Sequence, residues 1–104
     1  SGFSYAVAFK LRGRFGVELN IDTGDKDKNE QFFDQLYRQK DGIEQEMGIV
    51  LSWERMDNAR LCRIATYREG SIEAEGQELE ELQDWAVDKL IRFRDIFGNR
   101  IKAL

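Results

Sequence analysis

From Phe3 to Leu11 the chain alternates without interruption: Phe3, Tyr5, Val7, Phe9 and Leu11 fall on one side, and Ser4, Ala6, Ala8 and Lys10 on the other. After Arg12-Gly13 the alternation resumes with Phe15, Val17, Leu19 and Ile21. Successive side chains of a strand point to opposite faces, so the pattern predicts a β-hairpin with one buried face. Such a face has to be covered by another layer, which restricts the chain to folds that stack something on a sheet.

The rest of the sequence supplies that layer. Thr23-Gly24-Asp25 punctuates the chain, and a helical pattern then runs to about Met47. On a helix Phe32, Phe33, Leu36, Ile43 and Met47 share one arc of about 100°, and Gly48 follows as a stop. Ile49, Leu51 and Trp53 alternate again, a turn is expected around Met56-Asp57-Asn58, and Leu61 to Tyr67 reads as a fourth strand. Glu69 to Gly76 is polar and loop-like. From about Glu78 to Ala103, Leu79, Leu82, Ala86, Leu90, Phe93, Phe97, Ile101 and Leu104 recur at steps of three and four, which predicts a long amphipathic helix. Its acidic start (Glu78, Glu80, Glu81, Asp84) and basic end (Arg100, Lys102) suit the helix dipole. The predicted class is α+β in the order ββαββα: a four-stranded antiparallel sheet with two helices on one face and the other face open. Phe9, Phe15, Phe93 and Phe97 are expected in the core, and Trp85 on its margin.

The 104 residues suit one domain, residues 1–104. The start at Ser1, with strand-like sequence directly after it, leads us to expect a C-terminal fragment of a longer protein. At 41% hydrophobic and 35% charged residues the chain is neither disordered nor membrane-spanning by composition. No apolar run approaches the roughly 20 residues of a transmembrane helix, and a cytoplasmic location without membrane partners is expected.

The chemistry is narrowed by what is missing. Without His there is no Ser-His-Asp triad, Cys-His pair or His-ligated metal. Cys62 is the single cysteine; it can form no internal disulfide or thiolate zinc cluster and reads as a small buried apolar residue. Asp25-Lys26-Asp27-Lys28 lacks the Gly and distal Glu of a calcium loop, and no phosphate-cradling Gly motif occurs. No metal, cofactor or catalytic residue is assigned. One constellation is a candidate polar site: Lys40, inside the apolar arc of the first helix, with Glu44 one turn later, where partial burial would shift both groups. The bland alternative is a Lys whose stem covers apolar surface while its ammonium reaches water.

Charge is unevenly placed. Residues 1–24 and 48–68, mostly strand, hold seven basic residues (Lys10, Arg12, Arg14, Arg55, Arg60, Arg63, Arg68) and four acids (Glu18, Asp22, Glu54, Asp57), a balance of +3. The other segments hold nine basic and sixteen acidic residues, a balance of −7. Lys10 and Arg14 should point to the open face, with Arg12 at the turn, and are candidates for phosphate contact with a nucleic acid. Ordinary solvated strand cations are the plain alternative.

The stretch FFDQLYRQKDGIEQEMGIVLSWERMDNARLCRIA and the ending LQDWAVDKLIRFRDIFGNRI carry a resemblance. Phe33, Asp34 and Leu36, then Lys40, Ile43 and Glu44, then Gly48, Leu51, Trp53 and Glu54, and finally Trp85 resemble the pattern of a prokaryotic family of domains of unknown function. Membership implies a module at the C-terminus of larger bacterial or archaeal proteins, some with a nuclease-like domain upstream. It implies no catalytic residue, but it adds Glu54 to Lys40 and Glu44 as polar positions of interest. The expected function is a non-catalytic accessory or interaction domain, whose partner is an upstream domain or another protein. A nucleic-acid-binding module through Lys10, Arg12 and Arg14 is the second reading, and an enzyme built on Lys40, Glu44 and Glu54 the third.

Overall fold

The computed structural model describes residues 2–56 and 59–104. The expected hairpin is β1 (Phe3–Lys10) and β2 (Arg14–Ile21), joined by a single 3-10 turn, Leu11–Gly13. In that turn Arg12 and Gly13 both take the left-handed conformation (φ 64° and 69°). Val7 lies opposite Val17, Tyr5 opposite Leu19 and Phe9 opposite Phe15. β3 (Ser52–Glu54) and β4 (Cys62–Glu69) complete an antiparallel sheet in the order β1-β2-β4-β3. The expected strand from Ile49 shrinks to three residues, and Asp57 and Asn58 of the expected turn lie outside the described residues.

Among the described residues three helices, not two, pack on one face: α1 (Lys26–Tyr37), α2 (Lys40–Met47) and α3 (Gly76–Lys102). The first predicted helix is divided at Arg38 and Gln39, where the Gln39 N–H turns back to Leu36 O at 2.9 Å. This tightened turn falls immediately before Lys40, which a continuous helix would carry into the apolar arc. The order is therefore ββααββα, because hydrophobic spacing runs on across a break that no Pro or Gly marks. Asp25, in the stretch resembling a calcium loop, caps α1 by accepting from the N–H groups of Asp27 and Lys28. Gly48 ends α2 with φ 77°, the left-handed stop that its position suggested.

Val17, Leu19 and Ile21 of β2 and Cys62 and Ile64 of β4 are buried beneath Phe33, Leu36, Ile43, Met47, Leu82, Phe93 and Phe97. Trp85 packs against Phe15, ring centroids 5.8 Å apart. No helix among the described residues is long and apolar enough to cross a membrane.

The buried face expected of β1 is not closed, and Phe9 is not part of the core: Tyr5, Val7 and Phe9 retain 36%, 43% and 39% of their surface, and Leu11 retains 88%. They do point to the helix side, but the helices reach this edge only at Phe3, which meets Phe32 of α1, and with one flank of α3.

Candidate functional site

On the open face the even residues of β1 and β2 meet the odd residues of β4 and the even residues of β3. Ala6, Ala8, Gly16 and Ala65 make its floor flat. Tyr67 lies across Gly16, where a Cβ would fall 2.6 Å from the ring, and Arg14 stacks over Tyr67 at 4.5 Å. The Tyr67 hydroxyl donates to Glu54 Oε2 at 2.7 Å, and Ser52 Oγ donates to the same oxygen at 2.8 Å. Burial first, and then the Glu54 hydrogen bond, push the Tyr67 phenol up to about 12. Arg63 bridges Glu18 and Glu54, each at 3.4 Å, and donates to Asn20.

Beneath this roof Glu18 keeps only 3% of its surface. Its Oε2 meets the Lys10 ammonium at 2.5 Å, an ion contact without the directionality of a good hydrogen bond. A carboxylate this buried requires its counter-ions, so Lys10 and Arg63 are committed to it. Glu18 was missed as a site residue in the sequence. Its only signal there is an acidic residue on the polar side of β2, between Gly16 and Asn20.

The open face thus carries Lys10, Arg14 and Arg63 against Glu18, Glu54 and Glu69, and the basic balance of the strand segments does not survive folding as free cations. Arg55 pairs with Asp34 at 3.0 Å, Arg60 with Asp22 at 3.0 Å, and Arg68 lies over Trp85. Arg12, exposed on the turn, is the one of the seven with neither a carboxylate nor a ring as partner among the described residues.

Lys40, Glu44 and Glu54 are not brought together. Glu44 lies on the helix side, where it accepts from the Leu51 N–H at 2.8 Å and from Trp53 Nε1–H at 3.0 Å. The Leu51 bond holds its carboxyl below the usual value against the opposing effect of burial, with Trp53 and the Lys40 charge adding to it. Lys40 reaches over the Tyr37 ring, 5.6 Å from its centroid. Glu54 faces the opposite side of the sheet with Tyr67 and Arg63. Glu44 is a peg that fixes the path from α2 into β3. Among the described residues no group of three or more His, Cys, Asp or Glu is placed to hold a metal ion.

The remaining surface of note is apolar. Tyr5, Val7 and Phe9 form a strip along β1, beside the α3 flank that exposes Val87 and Ile91. Arg94 of the same flank bears on the Tyr5 hydroxyl, whose pKa is raised mainly by burial and lowered in part by that charge. At the hairpin tip the strip runs into a cavity of about 410 Å³, with Phe9, Leu11 and Ile72 on its walls and Gly13 and Gly70 at its back.

The sequence pattern that pointed to a family is decided by comparison with family models: the model for a domain of unknown function, DUF4268, matches residues 1–101. The chain belongs to the DUF4268 family. No curated protein and no solved structure matches it. For this DUF4268 domain, function has to be argued from the surfaces themselves.

Proposed function

We propose that this DUF4268 domain is a non-catalytic interaction module, an accessory part of a larger protein, which docks a protein partner along the β1 strip and the neighbouring flank of α3. The observation that carries this reading is the half-exposed row Tyr5, Val7 and Phe9 on the side of the sheet that everywhere else is core. Single exposed apolar residues are ordinary, whereas a contiguous row at a strand edge beside a second apolar row marks a contact surface. The polar side chains of the open face are spent on one another, and the Tyr67 phenol, raised to about 12, stays protonated and bound to Glu54. Neither feature suits a reaction site.

Selection of a displayed library of random peptides on the wild-type chain tests the proposal, with counter-selection on Val7→Lys/Ile91→Lys. Peptides with apolar residues at alternate positions should be enriched, and the variant should bind them at least about 100-fold more weakly. The competing outcome is binding of short DNA or RNA at low salt that falls steeply as salt rises and is lost in Arg12→Ala/Arg14→Ala. That result would replace the protein partner with a nucleic acid.

A further inference from the structure

β1 is an edge strand of eight residues, so among the described residues its outward backbone N–H and C=O groups have no strand beside them. Edges of this length are normally guarded by Pro, by a bulge or by an inward-pointing charge. Between Phe3 and Phe9 this one has none of these. We propose that the occupant is a second copy of the same chain, added antiparallel along β1 about a two-fold axis at Val7. The inference rests on the docking role proposed above and names its partner.

Two features single out the second copy. The first is register. Residues directly opposite in an antiparallel pair share a face, so a one-residue slip would set the apolar row of one copy against the small-residue row of the other. With Val7 on the axis, Tyr5 meets Phe9 of the other copy and Phe3 meets Leu11, all on the helix side. Lys10 meets Ser4, so no like charges are opposed.

The second feature is the charge polarity of α3. This helix runs antiparallel to β1: Leu82 lies by Gly70 at the hairpin tip, and Arg94 acts on Tyr5 toward the far end. Its exposed first turns carry Glu80 and Asp84, and its exposed last turns carry Lys102 and Arg94, the latter paired with its neighbour Asp95 at 3.1 Å, so that this half keeps a smaller basic excess. The same two-fold sets the second α3 antiparallel to the first, acidic half beside basic half. A parallel addition would set acid beside acid. Val87 and Ile91 of both helices would then wall a trough floored by the two β1 strips, and the sheet would become continuous over eight strands.

The test is sedimentation equilibrium of the wild-type chain from micromolar to millimolar concentration, beside Val7→Lys, Val7→Cys and Ser4→Cys. The wild type should reach twice the 12.2 kDa of one chain. Val7→Lys, whose ammonium meets its own copy on the axis, should weaken association at least about 100-fold while circular dichroism stays unchanged. Under mild oxidation Val7→Cys should form a disulfide-linked dimer much faster than Ser4→Cys, because Val7 is placed opposite itself and Ser4 is not. Cys62 is buried and gives no competing cross-link. A wild type that stays monomeric throughout, a dimer indifferent to Val7→Lys, or equal cross-linking of the two cysteine variants would overturn the proposal. If the chain is monomeric but selected peptides still bind in a Val7-dependent way, the interaction reading stands with another partner; if both fail, the reading falls too.

Discussion

At one edge of the sheet β3 is three residues long, and its Trp53 is enclosed by Phe33 and Tyr37, ring centroids 6.1 and 5.5 Å away, with the indole N–H pinned by Glu44. At the other edge β1 is eight residues long, fully paired to β2 on its inner side, and its apolar side chains stay half open. The helix layer accounts for the difference. A helix with its side chains is about 10–12 Å wide, roughly two strand spacings, so four strands need two helices side by side. α1 and α2, bent at Arg38 and Gln39, serve β4 and the β3 side, while α3 lies on β2 and reaches β1 only with its flank; α1 covers β1 at its Phe3 end alone, where Phe3 meets Phe32 at 5.5 Å. A closed edge needs a short strand and a plug; the open edge has neither, which is what makes it available for contact.

The largest expected effect comes from emptying the closed side. Phe97→Ala, in the fully buried stripe of α3, and Trp53→Ala, at the plugged edge, should each cost about 3–5 kcal/mol in urea unfolding. Phe9→Ala, the aromatic counterpart on β1, should cost about 1–2 kcal/mol, because 39% of its surface never leaves water. Equal losses for Trp53→Ala and Phe9→Ala would mean that β1 is as well covered as β3, and the comparison would collapse.

A smaller effect tests the plug itself. Glu44→Gln keeps one acceptor but removes the charge that serves the Leu51 N–H and the Trp53 indole, and should cost about 1–2 kcal/mol at neutral pH. The pH dependence has a definite sign. The folded pKa of Glu44 lies below its ordinary value of 4.5, so its stabilisation is present above that value and is lost as pH falls through the folded pKa. As pH falls below about 5 and through the folded pKa, the wild type should therefore lose stability toward Glu44→Gln, whose contribution from this site is flat. Parallel stability curves over that range would show that the carboxylate is not what closes the edge.

Much of the fold was legible because periodicity carries it. The β1–β2 hairpin, the α3 stripe and the Gly48 stop are each local in the chain. The break at Arg38–Gln39 was not legible, since Phe33, Leu36, Ile43 and Met47 keep helical spacing across it. The exposure of Tyr5, Val7 and Phe9 was not legible either: alternation tells which side a residue faces, and coverage depends on how many helices reach that edge. For the site, the sequence singled out Lys40, Glu44 and Glu54 as polar positions that composition does not explain, but sheet topology puts Glu54 on the other face. Lys10 and Arg14 stand on the open face, yet the pairing of Lys10 with Glu18 across the hairpin removes the freedom a phosphate contact would need.

The smallest expected effect concerns Lys40, which the apolar arc of the sequence made conspicuous at the closed edge. If that edge is held by aromatic packing and the Glu44 peg, Lys40 is dispensable to it. The turn at Arg38–Gln39 releases its side chain to the surface, where the ammonium lies 5.6 Å from the Tyr37 centroid. A cation over a ring at such a site contributes about 0.5–1 kcal/mol, and Met keeps the apolar stem that packs against the helix. Lys40→Met should thus shift stability by about 0.5 kcal/mol or less, and the Glu44 titration followed by side-chain carboxyl NMR should move slightly upward as one favourable charge is removed. A loss above about 2 kcal/mol would place the ammonium among the partners that hold the edge. The closed side would then depend on a charge cluster, and its contrast with β1 would be one of electrostatics rather than of coverage.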